Sequence, residues 1–438
     1  MDNKKKKLDE WKDLRYGMFI HWGLYALLGR GEWVMFNEAV DKDEYRKLME
    51  RFSAERFCAL DWAKAAKRAG MKYMVLVTRH HDGFALWDSP ASAEAFTSMH
   101  AAAGRDIVRE FTDACRSEGL KVGLYYSPMD WRFPGYFLPR MYRKSAMAMR
   151  QQCHEQIREL LTNYGKIDIF FFDGGEDFWL CHGMDLHSHD ANRDMREDIQ
   201  CPDFWGAGEL DEMIRTLQPG IVINNRYGNR ELGDYLTPEG YIGEYNTKQE
   251  WESNMTLNNS WGWTPSLPRS RREILGLIVK AATGDGNLLL NVGPRGDGSM
   301  EEEQVERLAE VGDWLAQYGD SIYKTRGGPF RNTGYGGMTY RENVLYIHVW
   351  DWKRNIFETA PLCADILRVQ DLTGDTLQYA VTEDGRLRFS VGAPERDAAD
   401  TVIRVELNVP VHTLASDRLW CREPEADKAT QALIVEKL

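Results

Sequence analysis

Three features that define large classes of proteins are missing from this sequence of 438 residues. No segment approaches the ~18 consecutive apolar residues that a membrane-spanning helix needs. The seven cysteines include no Cys-x-x-Cys pair, and their odd number disfavours a disulfide framework. Basic residues do not predominate, because 68 acidic against 55 basic side chains give a net charge of −13. The sequence therefore predicts no membrane span, no binding to nucleic acid, and free thiols in a reducing compartment.

The first residues also lack the features of a secretory signal. Four lysines, Lys4 to Lys7, are followed by Leu-Asp-Glu-Trp, without the hydrophobic region of ~7–15 residues that a signal peptide contains. We therefore expect a cytoplasmic protein. Its 43% hydrophobic and 28% charged residues are typical of a globular chain that buries a large core.

Up to about residue 320, short apolar runs alternate with helical patterns. Continuous runs of this kind indicate parallel strands that are covered on both faces. Seven are present, at residues 17–20, 73–78, 122–126, 167–172, 221–225, 241–244 and 288–292. With the diffuse stretch between residues 250 and 260, they predict a (β/α)₈ TIM-like barrel over residues 1–330. A doubly wound sheet is the alternative, but no Gly-x-Gly-x-x-Gly follows the first run.

Beyond residue 330 the pattern changes to a strict alternation of apolar and polar residues. The alternation runs from Leu345 to Trp350 and again from Ile403 to Val409, with turn signals such as Glu383-Asp384-Gly385. A period of two residues predicts half-buried antiparallel strands. We therefore predict a C-terminal β-sandwich domain over residues 331–438.

Catalytic groups in a parallel barrel lie at the carboxyl ends of the strands. The residues that follow the predicted strands are mostly aromatic rings, imidazoles, amides and carboxylates, which suit the apolar faces and hydroxyls of a sugar. A glycosidase also needs a pair of carboxylates. Asp173 is the leading candidate, because it follows three Phe and precedes two glycines, which would let a substrate approach the backbone. The same position also suits an aspartate that caps a turn or helix.

Two groups of residues raise the question of a metal. His80 and His81 follow the predicted strand at 73–78 as adjacent residues, and adjacent residues on a strand point to opposite faces. Hydroxyl binding or packing is therefore the preferred interpretation. The stretch 181–190 contains the residue types that zinc prefers, at a spacing that matches no specific motif: Cys181, His182, Asp185, His187, His189 and Asp190. We expect no metal and no cofactor.

Taken together, the motifs at the strand ends resemble those of the family 29 α-L-fucosidases. Each motif is modest alone, but they occur in family order over about residues 11–330. The matching segments are Phe19-Ile20-His21-Trp22-Gly23, His80-His81-Asp82-Gly83-Phe84, Tyr125-Tyr126-Ser127, Phe172-Asp173-Gly174, Asn224-Asn225-Arg226-Tyr227-Gly228, Trp251-Glu252, Ser260-Trp261-Gly262-Trp263 and Asn287-Leu288-Leu289-Leu290-Asn291-Val292-Gly293-Pro294.

The resemblance implies an exo-acting, retaining enzyme that removes terminal α-L-fucose from an oligosaccharide or glycoconjugate, with fucosyl transfer as a side reaction. Asp173 would be the nucleophile. The residues implied to line the fucose pocket are His21, Glu32, Trp33, His80, His81, Tyr125, Phe171 and Arg226, with Phe171 standing where the family commonly has Trp.

The acid/base residue has two candidates. Glu252 in Trp-Glu and Glu244 in Gly-Glu-Tyr each match a residue that has this role somewhere in the family, and we favour Glu252. A relative that binds fucosylated glycans without turnover is the alternative function. The number of subunits is left open.

Overall fold

The computed structural model of this chain describes residues 2–176, 179–180, 203–229, 231–352, 355–374, 376–392, 399–414 and 418–421. The chain divides into two compact units, one of Met1–Tyr241, Gln249–Ser270 and Leu288–Asp313 and the other of Ile242–Lys248, Arg271–Asn287 and Trp314–Leu438. The described α-helices are α1 (Asp2–Lys12), α2 (Val34–Asn37), α3 (Lys42–Arg46), α4 (Ala59–Arg68), α5 (Ile107–Ser117), α6 (Pro134–Phe137), α7 (Arg143–Asn163), α8 (Ala207–Leu217), α9 (Arg271–Thr283) and α10 (Glu302–Tyr318). Within the described ranges, no helix is both long and apolar enough to cross a membrane.

The first unit is built on a curled, parallel sheet of seven strands. In chain order they are β1 (Tyr16–Ile20), β2 (Tyr73–Arg79), β3 (Lys121–Tyr126), β4 (Ile169–Phe172), β5 (Val222–Ile223), β6 (Glu252–Thr256) and β7 (Asn287–Val292). Their order across the sheet is β5-β4-β3-β2-β1-β7-β6. Every residue of β1, β2, β4 and β7 is buried, which explains why these strands are continuous apolar runs in the sequence. The predicted parallel sheet is confirmed.

The strand predicted at residues 241–244 is wrong. Gly240 has a φ of 77°, a turn conformation, and the Tyr241 side chain after it is 62% exposed. A strand of this sheet needs cover on both faces, which this stretch does not have. The sheet instead takes β6 from the diffuse stretch between residues 250 and 260.

The segment Tyr235–Glu239 lies between the two edge strands β5 and β6. It is held by three isolated parallel bridges, Asn224 to Tyr235, Leu236 to Trp251 and Glu239 to Asn254. Pro238 inside this segment has no backbone N–H to donate, which limits regular pairing. The segment therefore carries Glu239 along the sheet without forming a regular strand.

The helix α5 shows how the sequence sets the covering layer of this unit. The Asp106 carboxylate accepts a hydrogen bond from the Arg109 backbone N–H at 2.9 Å and caps the first turn. Apolar residues recur at three- to four-residue spacing, and the buried face includes Ile107, Phe111 and Cys115. Amphipathic helices of this kind are what a parallel sheet needs on its outer face.

The second unit contains two antiparallel sheets. Its strands are β8 (Arg326–Gly327), β9 (Gly336–Arg341), β10 (Val344–Val349), β11 (Phe357–Glu358), β12 (Ile366–Asp371), β13 (Gln378–Val381), β14 (Leu387–Ser390) and β15 (Thr401–Leu407). Their orders are β12-β15-β10-β9-β8 and β11-β14-β13. The antiparallel strands are confirmed, but β10 is not half-buried as predicted. His348 on its polar face is fully buried and lies 2.7 Å from the Asp400 carboxylate, which gives the imidazole a buried partner.

Candidate active site

A cavity of about 120 Å³ in the first unit gathers side chains from the carboxyl ends of the parallel strands. It is lined by Asp173 and by all eight residues that the resemblance implied for sugar binding: His21, Glu32, Trp33, His80, His81, Tyr125, Phe171 and Arg226. Five further lining residues were not predicted, namely Phe19, Trp179, Glu239, Asn254 and Trp261. The cavity is therefore rich in both aromatic faces and hydrogen-bonding groups, which suits one sugar ring.

Both carboxylate oxygens of Asp173 are held by neighbouring side chains. The Tyr125 hydroxyl donates to Oδ2 at 3.0 Å, and Arg226 Nη1 donates to Oδ1 at 3.0 Å. His81 Nε2 lies 3.6 Å from Oδ2, beyond hydrogen-bond length. These contacts orient the carboxylate, and its side chain remains 21% exposed and accessible to a substrate.

The backbone around Asp173 is fixed by its neighbours. The Asn224 side-chain amide accepts from the Phe172 N–H and donates to the Phe172 carbonyl, each at 2.8 Å, so β4 stays paired up to the residue before Asp173. Gly174 adopts a φ of 73°, and a Cβ on Gly175 would lie 2.5 Å from the Arg226 carbonyl oxygen. The two glycines thus serve a turn and close backbone packing, rather than the substrate approach that the sequence suggested.

A second carboxylate, that of Glu239, contacts the same arginine as Asp173. Arg226 Nη1 lies 3.0 Å from Asp173 Oδ1 and 2.7 Å from Glu239 Oε2. Since both oxygens contact one nitrogen, they lie within about 6 Å of each other, which suits a retaining pair of carboxyl groups (~5–5.5 Å) better than an inverting pair (~6.5–9.5 Å). Thr237 anchors the guanidinium, because its hydroxyl and its carbonyl accept from Nε at 2.7 Å and from Nη2 at 2.8 Å.

His21 is held as a neutral imidazole with one nitrogen protonated. Burial lowers the pKa of His21 to about 4, although its hydrogen bond to Asn291 acts in the opposite direction. Asn291 Nδ2 donates to the Trp261 carbonyl at 2.8 Å, so Asn291 Oδ1 faces His21 Nδ1 at 2.6 Å and accepts a hydrogen bond from the Nδ1–H. His21 Nε2 is then an unprotonated acceptor, suited to a sugar hydroxyl.

His80 and His81 both line the cavity, so the expectation that they point to opposite faces is wrong. β2 ends at Arg79, before either residue, and their ring centroids lie only 4.0 Å apart. Burial, together with the neighbouring His81, lowers the pKa of His80 well below its usual value, which keeps the His80 ring neutral. Among the described residues no group of His, Cys, Asp and Glu is arranged to hold a metal, and the 181–190 stretch lies outside the described residues.

Glu32 brings a buried carboxylate to the cavity wall. Its Oε2 accepts from the Gly262 N–H at 2.8 Å and from the Ser260 hydroxyl at 3.3 Å. Burial raises the pKa of Glu32, while these hydrogen bonds partly offset the rise. A buried, oriented carboxylate of this kind is a strong acceptor for sugar hydroxyls.

Neither acid/base candidate named from the sequence is among the described residues that line the cavity. Glu252 is fully buried as the first residue of β6, where its carboxyl group accepts a hydrogen bond from Tyr73, the first residue of β2. Both residues therefore lie at the amino ends of their strands, opposite the end that carries Asp173. Burial raises the pKa of Glu252 to about 8. Glu244 is exposed and belongs to the second unit.

The unpredicted residue Asn254 has an unusual environment. Its side chain is 1% exposed, yet neither its amide nitrogen nor its amide oxygen has a hydrogen-bond partner among the described residues. Buried amides are normally bonded, so this amide is free to bind a ligand hydroxyl. Asn254 is two residues from Glu252 on β6, and the two-residue period of a strand was the available sequence signal. Glu239 had no such signal, because its segment is not a regular strand.

Residues 1–320 match the family model of the α-L-fucosidases. The tissue α-L-fucosidase of Homo sapiens is 27% identical over 386 residues, which cover 80% of this chain and 77% of that protein. The structure of α-L-fucosidase isoenzyme 1 from Paenibacillus thiaminolyticus shares 32% identity, with a TM-score of 0.79, over 93% of this chain and 100% of that one. A Bacteroides thetaiotaomicron α-L-fucosidase, solved as a covalent intermediate trapped with 2-fluoro-fucosyl fluoride, shares 26% identity and a TM-score of 0.79 over 92% and 96% of the two chains. The resemblance found in the sequence is confirmed, and this chain belongs to the α-L-fucosidase family of retaining glycoside hydrolases.

Proposed function

We propose that this protein cleaves terminal α-L-fucosyl linkages of glycans by double displacement, with Asp173 as nucleophile and Glu239 as general acid/base. One observation carries the proposal: the two carboxylates share one nitrogen of Arg226 inside the cavity. The covalent intermediate trapped in the Bacteroides relative supports a nucleophile of this kind. We also infer that the segment Tyr235–Glu239 completes an eight-stranded barrel and that the two antiparallel sheets form a sandwich.

In the first step, Asp173 attacks the anomeric carbon while the bond to the leaving oxygen breaks. Glu239 gives its proton to that oxygen, so the leaving group departs as an alcohol. For this, the contact between Glu239 and Arg226 has to loosen as the leaving oxygen approaches, and the 43% exposed Glu239 side chain has room to turn. In the second step, Glu239 takes a proton from water, which attacks the anomeric carbon and releases Asp173 and L-fucose with retained configuration.

Azide products test the two roles separately. Asp173→Gly should lose ~10³-fold or more in kcat, and azide should restore turnover of an activated aryl α-L-fucoside with inversion, giving the β-fucosyl azide. Glu239→Ala should retain fucosylation by the activated substrate but lose hydrolysis of natural glycans, and azide should give the α-fucosyl azide. An α-azide product from Glu252→Ala or Glu244→Ala, and not from Glu239→Ala, would move the acid/base role to that residue.

The non-catalytic alternative, a protein that only binds fucosylated glycans, predicts no turnover by the wild type. The exposed Glu244 supplies the matched control, since Glu244→Ala removes a carboxylate without touching the described cavity wall. Wild-type turnover that Glu244→Ala keeps and Asp173→Gly loses would exclude the alternative.

A further inference from the structure

A second, larger cleft of about 550 Å³ lies beside the active-site cavity in the same unit. Its wall is formed largely by aromatic and aliphatic side chains, including Met35, Phe36, Trp131, Phe137, Leu138 and Tyr142. The rings of Phe36 and Phe137 are nearly parallel, with an interplanar angle of 16°. No residue of this cleft belongs to the machinery described above, so its use is a separate question.

Trp33 connects the wall of the active-site cavity to the wall of this cleft. Trp33, which lines the active-site cavity, has its ring centroid 5.5 Å from that of Phe36 and 5.0 Å from that of Trp131. His81, next to the Asp173 carboxylate, lies 5.4 Å from Trp131, centroid to centroid. The cavity and the cleft are therefore neighbours, joined by aromatic residues that contact one another.

The polar groups of the cleft favour a neutral, hydroxyl-bearing ligand. Trp131 lines the cleft and is 5% exposed, and its buried indole N–H has no hydrogen-bond partner among the described residues. Arg132 is bound to the Asp130 carboxylate through Nε at 3.0 Å and Nη2 at 2.7 Å, and Lys42 lies 3.1 Å from Asp43. With both cations paired, the cleft does not select an anion.

We propose that this cleft binds a pyranose ring of the leaving-group oligosaccharide, stacked against the aromatic wall to which Phe36 and Phe137 belong. The carbon-bound hydrogens of a pyranose form an apolar face that suits an aromatic ring, and its hydroxyls suit the Trp131 N–H. This assignment rests on the proposed function, because only a fucosidase reaction releases such a leaving group. It makes the preferred substrate a fucosylated oligosaccharide rather than a simple fucoside.

Two substrates that differ only in the leaving group test the cleft. α-L-Fucosyl fluoride carries no sugar beyond the fucose, whereas a fucosyl-lactose carries two further sugars. The fucosyl-lactose is chosen as the isomer that the wild type cleaves fastest. Phe137→Ala should lower kcat/KM for the fucosyl-lactose by roughly tenfold, the factor that ~1.4 kcal/mol of lost contact gives, and leave that for the fluoride within about twofold. Tyr142→Ala, at the 46% exposed rim, should lower kcat/KM for the fucosyl-lactose alone without disturbing the fold. Tyr379→Ala removes a comparably exposed tyrosine, 51% exposed, from the second unit and is the matched control.

The two claims fail in different ways. A wild type that cleaves neither substrate refutes the proposed function. A wild type that cleaves both, with Phe137→Ala and Tyr142→Ala unchanged on fucosyl-lactose, refutes the cleft as a sugar site. Equal losses on the two substrates in both variants also overturn it, since the cleft would then act only by supporting the fucose pocket.

Discussion

Replacing Glu252 with Gln tests whether the Glu252 carboxyl group is a buried group that holds its proton or a group that takes part in catalysis. Burial raises the pKa of Glu252 to about 8, against 4.5 for an ordinary glutamate. Between these two values the folded protein keeps the proton while the unfolded chain has lost it. The unfolded state binds fewer protons in this window, so stability falls as pH rises, by about 1.4 kcal/mol per pH unit. Gln does not ionise in either state and removes this dependence.

From pH 5 to pH 7, the wild type should therefore lose about 3 kcal/mol of unfolding free energy relative to Glu252→Gln. Urea unfolding followed by tryptophan fluorescence at pH 5, 6 and 7 measures this difference. Any constant cost of burying the new amide cancels, because only the change with pH is compared. Glu244→Gln, at an exposed position, should follow the wild type.

Parallel pH profiles for the wild type and Glu252→Gln would refute this reasoning. The same variant also reports on chemistry, since kcat for fucosyl-lactose should stay within about threefold of the wild type if Glu252 only holds a proton at the base of the sheet. A well-folded Glu252→Gln protein that lost this activity, and regained turnover of an aryl fucoside with azide, would return the acid/base role to Glu252.

Three further outcomes follow from the contacts described above. Asp130→Asn should lower stability by ~3–5 kcal/mol, seen as a fall in Tm, because Asp130 is the buried carboxylate partner of both Arg79 and Arg132, whereas Glu38→Gln at the exposed pair with Arg30 should leave Tm unchanged. Asn254→Ala should raise the inhibition constant of free L-fucose by roughly fivefold, since a hydrogen bond is worth ~1 kcal/mol, and an unchanged constant would place the amide outside the sugar contacts. Treatment with EDTA should leave kcat unchanged, and a loss that zinc reversed would point to the 181–190 stretch.

The parts of the fold predicted from the sequence are those in which local pattern and burial coincide. β1, β2, β4 and β7 are buried over their full length, so their apolar runs identified them, and His21, His80 and Asp173 just beyond three of these strands line the cavity. The run at 241–244 has only two apolar residues, Tyr241 and Ile242, and it follows a turn at Gly240 and is not covered. Cover is not visible in a local pattern. Adjacent histidines were misjudged for a related reason, since the strand ends one residue before His80.

The position of Glu239, the proposed acid/base residue, shows a different limit of the sequence. Glu252 follows Trp251 in a recognisable motif, whereas Glu239 sits in a segment with neither a strand pattern nor a motif. Arg226 links Glu239 to Asp173, and Thr237 holds the Arg226 guanidinium in place. Arg226 lies 13 positions and Asp173 lies 66 positions before Glu239 in the sequence. Only the fold of the chain brings the three residues together.

The two carboxylates of the active site are supported very unequally. Asp173 extends from β4, an interior strand paired on both sides, whereas Glu239 lies on a segment held by three isolated bridges. Segments with few backbone hydrogen bonds open at lower free energy than interior strands. Mild denaturant should therefore detach Glu239, the proposed proton donor, while Asp173, the proposed nucleophile, is still in place. Under those conditions the enzyme would still react with fucosyl fluoride, whose leaving group needs no proton, but would no longer cleave natural glycans. Partial loss of structure would therefore narrow the range of substrates before it abolished activity.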